Sequence, residues 1–162
     1  MPDRPSSNAP ARIAAVITLA LTVVAVTQAA GLYTQNLLFT RAQTEVGFWG
    51  RDDYHPEETT IVRTVKQLES LLLSKPTQPD YLGLQANALV WLAYWSGEGT
   101  ASAATVQAVS GQYAALQSRP AHRYSWVKLA EYLSRSAATG QNTALATLTQ
   151  SRLSALSVTT NP

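Results

Sequence analysis

Residues 51–58, RDDYHPEE, gather Asp52, Asp53, Glu57 and Glu58 around His55. Carboxylates beside an imidazole are the side chains that ligate a metal or move protons. A metal site needs its ligands held by a rigid frame, however, and these lie on a connector bounded by Gly50 and Pro56, so a solvated turn is the expectation. His122 has Arg123 beside it and no carboxylate nearby in sequence, which favours a structural or exposed role. The many serines have no G-x-S-x-G frame, and neither a G-x-x-x-x-G-K-[ST] nor a G-x-G-x-x-G loop occurs. With two histidines and ten acidic residues scattered over turns, the expectation is no catalytic residue, no bound cofactor and no metal.

Aromatic residues are the stronger signal. Trp91 and Trp95 stand at i and i+4, with Tyr94 between them, and Trp126 has Tyr124 and Tyr132 on either side. Such rings stack on sugars and anchor protein interfaces, and they also fill the cores of small helical domains. Core roles suit Trp91 and Trp126, whereas Trp95, close to a turn, is placed to reach the surface. Arg119, Arg123 and Tyr124 fall in a turn between helices, where a guanidinium can hold a carboxylate. Trp95, Arg119, Arg123, Tyr124 and Trp126 are therefore the candidate partner-binding residues.

These residues must be positioned by helices. Ile13–Leu32, IAAVITLALTVVAVTQAAGL, is twenty residues without a charge, enough for about 30 Å of helix and so for one bilayer crossing. Thr18, Thr22, Thr27 and Gln28 dilute it, and polar groups in a span favour neighbouring helices. Small residues one and three before a cut are poorly supplied around Ala25–Ala30, so an uncleaved anchor fits better than a removed secretory signal. Residues 1–12 are Pro- and Ser-rich with Arg4 and Arg12, which predicts a disordered cytoplasmic tail. The topology expected is a single pass through a bacterial inner membrane with the C-terminal domain in the periplasm.

Residues 33–55 read as an exit helix and connector, with Tyr33 as an interfacial anchor and Gly47 and Gly50 as breakers. Phe48, Trp49 and Tyr54 serve there as a second interfacial contact or as a lid on the domain. Residues 56–157 carry helical periodicity throughout. Val62, Val65, Leu68, Leu72 and Leu73 make one stripe between Pro56 and Pro76, and the helix from Pro79 to Trp95 is apolar all round, hence central. SGEGT at 96–100 is a turn. Val106, Val109, Tyr113 and Leu116 mark the next helix, then Trp126, Leu129, Ala130 and Leu133 after an N-cap at Ser125. Gly140 ends that helix, Asn142 caps the last, with Leu145, Leu148, Leu153 and Leu156, and residues 158–162 fray. No stretch alternates with period two. The fold class is all-α: one N-terminal transmembrane helix followed by a small tetratricopeptide-like helical-hairpin domain.

A repeat supports the hairpins. With Pro76 placed on Pro120, Leu72 meets Leu116, Lys75 meets Arg119, Ala86 meets Ala130 and Leu89 meets Leu133. Tetratricopeptide units repeat at about 34 residues, so an offset of 44 is a looser variant. The segment RPAHRYSWVKLA, residues 119–130, resembles the Arg-Pro-x-x-x-Tyr-Ser/Thr-Trp-x-x-Leu-Ala segment of the VpsP-type polysaccharide-biosynthesis accessory proteins, through Arg119, Pro120, Tyr124 and Trp126. Those are single-anchor proteins with tetratricopeptide-like helices, and the layout of anchor, exit helix and hairpin is similar. The chain departs from them in having SALSVTTNP where they continue into a Gly-Pro-Trp-Glu-Pro-like turn.

The resemblance implies a non-catalytic scaffold assisting exopolysaccharide biosynthesis or export. Its partners would be membrane-embedded or periplasmic proteins of that system, with residues 13–32 in the lipid bilayer. Twelve basic against ten acidic residues give a net charge of +2 with no dense basic patch, which argues against nucleic acid. Two other readings stand beside it: a small accessory subunit of a membrane protein complex, and a carbohydrate-binding module using Trp95, Trp126 and the turn aromatics.

Overall fold

Forty residues, Ala9–Phe48, form one α-helix, α1, about 60 Å long at the standard rise. The computed structural model describes residues 9–51, 53–97, 102–136 and 143–158. The tail at 1–8, Asp52, the turn residues 98–101, Gly140, Asn142 and residues 159–162 lie outside the described residues. From Ala11 onward α1 is long and apolar enough to cross a membrane, and its most apolar window has no buried residue.

Its hydroxyls are satisfied within the helix. Thr18 Oγ1 donates to the Ala14 carbonyl at 2.9 Å, Thr22 to Thr18 at 2.8 Å, and Thr27 to Val24 at 2.9 Å. Back-bonding of this kind is how Thr enters an apolar helix without an external partner. The helix ends where Gly50 adopts φ +75° and its N–H donates to the Tyr54 carbonyl at 2.9 Å, closing a tight loop.

Contacts divide the chain between Leu38 and Phe39, inside α1. The second compact unit therefore includes the last turns of α1 and the connector that follows. Ala42, Val46 and Trp49, at helical spacing, are buried there, and Phe39 lies 4.8 Å from Tyr81. Then come α2 (Glu58–Ser74), α3 (Pro79–Trp95), α4 (Ala103–Ser118), α5 (Arg123–Ser136) and α6 (Thr143–Val158). Among the described residues there are six helices and no strand. From α2 onward each helix packs on the next in chain order: α2 on α3, α3 on α4, α4 on α5 and α5 on α6.

Pro79 occupies the first turn of α3, where its missing N–H costs nothing. Ser102 caps α4, accepting from the Thr105 N–H at 3.1 Å. The buried face of α2 differs from the expected stripe. Ile61, Thr64, Val65, Leu68 and Leu71 point inward, while Leu73 is 88 % exposed. Threes and fours allow both phasings, and the inward face takes the one that tolerates Thr64, whose hydroxyl back-bonds to the Thr60 carbonyl at 2.9 Å. In α4 the face is likewise rotated: Ala108, Gln112 and Ala115 join Val109 and Leu116 inside, and Val106 is exposed.

The α3–α4 contact runs through small residues. A Cβ on Gly111 would meet the Leu82 carbonyl oxygen at 3.7 Å and Ala86 at 4.0 Å. Gln112, buried beside it, donates from Nε2 to the Ser125 carbonyl at 3.0 Å, tying α4 to the start of α5. α5 begins at Arg123, two residues before the expected cap. Ser125 thus sits inside the first turn, with its hydroxyl 2.7 Å from His122 Nδ1.

Candidate functional site

Residues of α3 and α5 and of the end of α1 wall a common space. Between the last turns of α1, α3 and α5 lie two cavities of about 360 and 300 Å³, which share Val46, Asn87, Lys128 and Tyr132 in their walls. They form one groove. Its first cavity is walled by Trp49 and His55 after α1, by Asn87, Val90, Trp91 and Tyr94 of α3, and by Lys128, Glu131, Tyr132 and Arg135 of α5. Trp91 meets Trp49 edge-on at 6.1 Å and Tyr94 edge-on at 6.0 Å. Gly50 is required where Trp91 packs: any Cβ there would come within 3.1 Å of the indole, on a backbone already at positive φ.

The polar side of this cavity is an ordered ion triad. Glu131 accepts from Lys128 Nζ at 2.9 Å and from Arg135 at 3.1 Å, the i−3 and i+4 positions of one helix. Burial alone would raise the Glu131 carboxyl, but the hydrogen bond and charge of Lys128, with Arg135, outweigh it and hold the group below its ordinary range. Glu131 is therefore an acceptor and a poor proton donor. Burial, with the Glu131 charge adding to it, pushes the Tyr132 hydroxyl well above its usual range. Trp49 is 6 % exposed, and its indole N–H has no hydrogen-bond partner among the described residues.

Chemically the cavity offers aromatic walls, an amide, and a carboxylate fixed between two cations. Among the described residues no group of three His, Asp or Glu comes together as a metal site. Asp52 of the acidic cluster falls outside those residues, and His55 faces the cavity.

Three comparisons bear on identity: with family models, with curated proteins and with solved structures. None gives a significant match. The site is therefore read from its own geometry.

The residues singled out from sequence separate. Trp126 is 3 % exposed and donates its N–H to the Pro120 carbonyl at 2.8 Å, so it is a core residue fixing the turn and cannot touch a partner. Arg119 holds Asp80 with two bonds, at 2.6 and 2.9 Å, linking the end of α4 to the start of α3, which occupies the guanidinium proposed for a ligand. Tyr124 is exposed and walls the second cavity, with Lys128 Nζ 5.9 Å from its ring centroid and His122 edge-on at 6.3 Å. Arg123 is exposed, and Trp95 is 43 % exposed and forms no part of either cavity wall. Only Tyr124 of the five joins the groove.

The groove's own residues were mostly missed. Trp91, read as core, is half-buried in its wall; Trp49, read as an interfacial contact or lid, is inside the domain, while Phe48 and Tyr54 remain exposed. One signal was available in sequence. Lys128, Glu131 and Arg135 have the i, i+3, i+7 spacing that puts a carboxylate between two cations on one helix face.

Proposed function

We propose that this chain is a membrane-tethered, non-catalytic helical scaffold. Residues 13–32 lie in a bacterial inner membrane and the helical unit stands in the periplasm. The observation that carries the tether is the apolar surface of α1: from Ile13 to Val26 its large side chains are exposed, among them Leu21 at 66 % and Val24 at 56 %. So much apolar surface on a helix is covered by lipid or by another protein. Back-bonded Thr18, Thr22 and Thr27 need no neighbouring span, which leaves Gln28 as the one polar side chain of the four that favours packing among other membrane helices.

We read α2–α3 and α4–α5 as two tetratricopeptide-like hairpins. The offset of 44 residues supports this, since Leu89 and Leu133 are buried in equivalent places and Ala86 is buried where Ala130 is half-buried. The groove between alternate helices is the docking face, and the tether raises the effective concentration of partners beside it. The resemblance of residues 119–130 to the VpsP-type segment supports a role in exopolysaccharide synthesis or export, with membrane or periplasmic proteins of that system as partners.

Deleting the gene tests the role, with polymer secretion as the readout. Secretion should fall and recover with the full chain, but not with residues 35–162 exported behind a cleavable signal. Unchanged secretion in the deletion strain rejects the polysaccharide role. Full rescue by the untethered fragment rejects the tether.

A further inference from the structure

The cavity between Trp49, Trp91 and Glu131 has a composition of its own, which neither the tether nor the scaffold reading requires. We propose that it binds a saccharide, one or two rings long, with a preference for a sugar bearing a carboxylate.

Shape and chemistry both point there. At about 360 Å³ the cavity falls at the small end of the range for small-molecule sites. Trp49, Trp91 and Tyr94 give it aromatic walls, with Trp91 edge-on to the other two at 6.1 and 6.0 Å, so the rings are packed together before any ligand arrives. A purely apolar ligand would leave Asn87, beside Trp91 on α3, and the triad on Glu131 of α5 facing hydrocarbon. A pyranose satisfies both walls, with a C–H face for the rings and a rim of hydroxyls that donate and accept.

Trp49 supplies the independent observation. Its N–H is buried and unpartnered among the described residues, although a buried indole ordinarily finds an acceptor. A ligand hydroxyl oxygen becomes such an acceptor once the indole edge, closed to solvent in this structure, turns toward the cavity that the residue walls. Charge then sets the preference. Lys128 and Arg135 face a single carboxylate, Glu131, at 2.9 and 3.1 Å, leaving one positive charge in excess at the cavity wall. A uronate carboxylate complements it, and a neutral sugar does not.

The test uses the full chain in a detergent without a sugar headgroup, titrated with glucuronate, glucose and acetate, with heat of binding and tryptophan emission as readouts. Glucuronate should saturate at millimolar concentration or below, glucose more weakly, and acetate not at all. Trp91→Leu should weaken glucuronate binding at least tenfold, and Trp49→Phe, which keeps a six-membered ring and loses the N–H with the rest of the pyrrole ring, about fivefold. Trp95→Leu should leave binding unchanged. Should Trp91→Leu lose helicity, Asn87→Ala, one turn earlier on the same helix, takes its place, with a severalfold loss expected. No saturation by either sugar overturns the proposal. So does acetate binding as well as glucuronate, which marks a plain anion site, or loss of binding in Trp95→Leu with none in Trp91→Leu. Equal affinity for glucose and glucuronate overturns the charge preference.

Discussion

Placing two arginines in the middle of α1 separates a lipid-embedded helix from a protein-covered one. Leu21 and Val24 stand three residues apart, on one face of the helix and near the centre of Ile13–Leu32, with 66 % and 56 % of their surface exposed. On insertion scales Leu and Val at a span's centre favour the membrane slightly, whereas Arg opposes it by about 3 kcal/mol. Leu21→Arg with Val24→Arg therefore costs about 6 to 8 kcal/mol, far more than snorkelling from mid-span recovers. Neither side chain is buried, so the helical unit from Phe39 onward should keep its melting midpoint within about 2 °C. The assay is alkaline carbonate extraction of membranes, followed by thermal circular dichroism of the purified chain. Wild type should pellet and the double variant should not. Pelleting of both would refute lipid embedding. A fall in melting midpoint beyond about 5 °C in the double variant would instead place this face against protein.

Trp126→Phe keeps the core ring and loses the bond to the Pro120 carbonyl at 2.8 Å; chemical denaturation should show a loss of about 1 kcal/mol, whereas Trp126→Ala should lose about 3 to 5. Gly50→Ala meets both a positive φ of 75° and the Trp91 indole at 3.1 Å, so a destabilisation of about 1 to 2 kcal/mol and altered tryptophan emission are expected. The depressed Glu131 carboxyl makes stability pH-dependent in one direction. Its contribution is complete above the ordinary carboxylate range and is lost as pH falls through the lower folded value. Melting midpoints of wild type should therefore fall more than those of Glu131→Gln as pH drops below about 4.5; parallel curves would show that the triad adds no stability.

Helices were legible because their signals are local. Pro76 and Pro79 bracket the α2–α3 turn, Pro120 stands between α4 and α5, and the uncharged run from Ile13 to Leu32 needs only counting. Which face turns inward was less legible. Val62 and Val106 satisfy the periodicity as well as Ile61 and Thr105 do, yet Ile61 and Thr105 are buried, Val106 is exposed and Val62 is half-buried. Hydrophobicity favours Val106 over Thr105 and does not separate Val62 from Ile61. What decides is the neighbour: α3 approaches α4 through Gly111 and Ala86, and that close approach turns Ala108, Gln112 and Ala115 toward it. Packing distance is a tertiary quantity, and a local pattern does not contain it.

The site was harder still, because its walls come from helices that do not follow one another in sequence. Searching turns for function led to Arg119 and Trp126, both of which tie the fold together. Three of the four Trp and Tyr residues that wall the groove's first cavity, Trp49, Trp91 and Tyr132, are 42 and 41 residues apart. That spacing is close to the offset of 44 found from Pro76 and Pro120. About two helices of chain separate each aromatic from the next, so the three rings fall on α3, α5 and just past the end of α1, around one cavity. The end of α1 then stands in the series with α3 and α5, which explains why Ala42, Val46 and Trp49 are buried with the helical unit although they continue the helix that carries the apolar run.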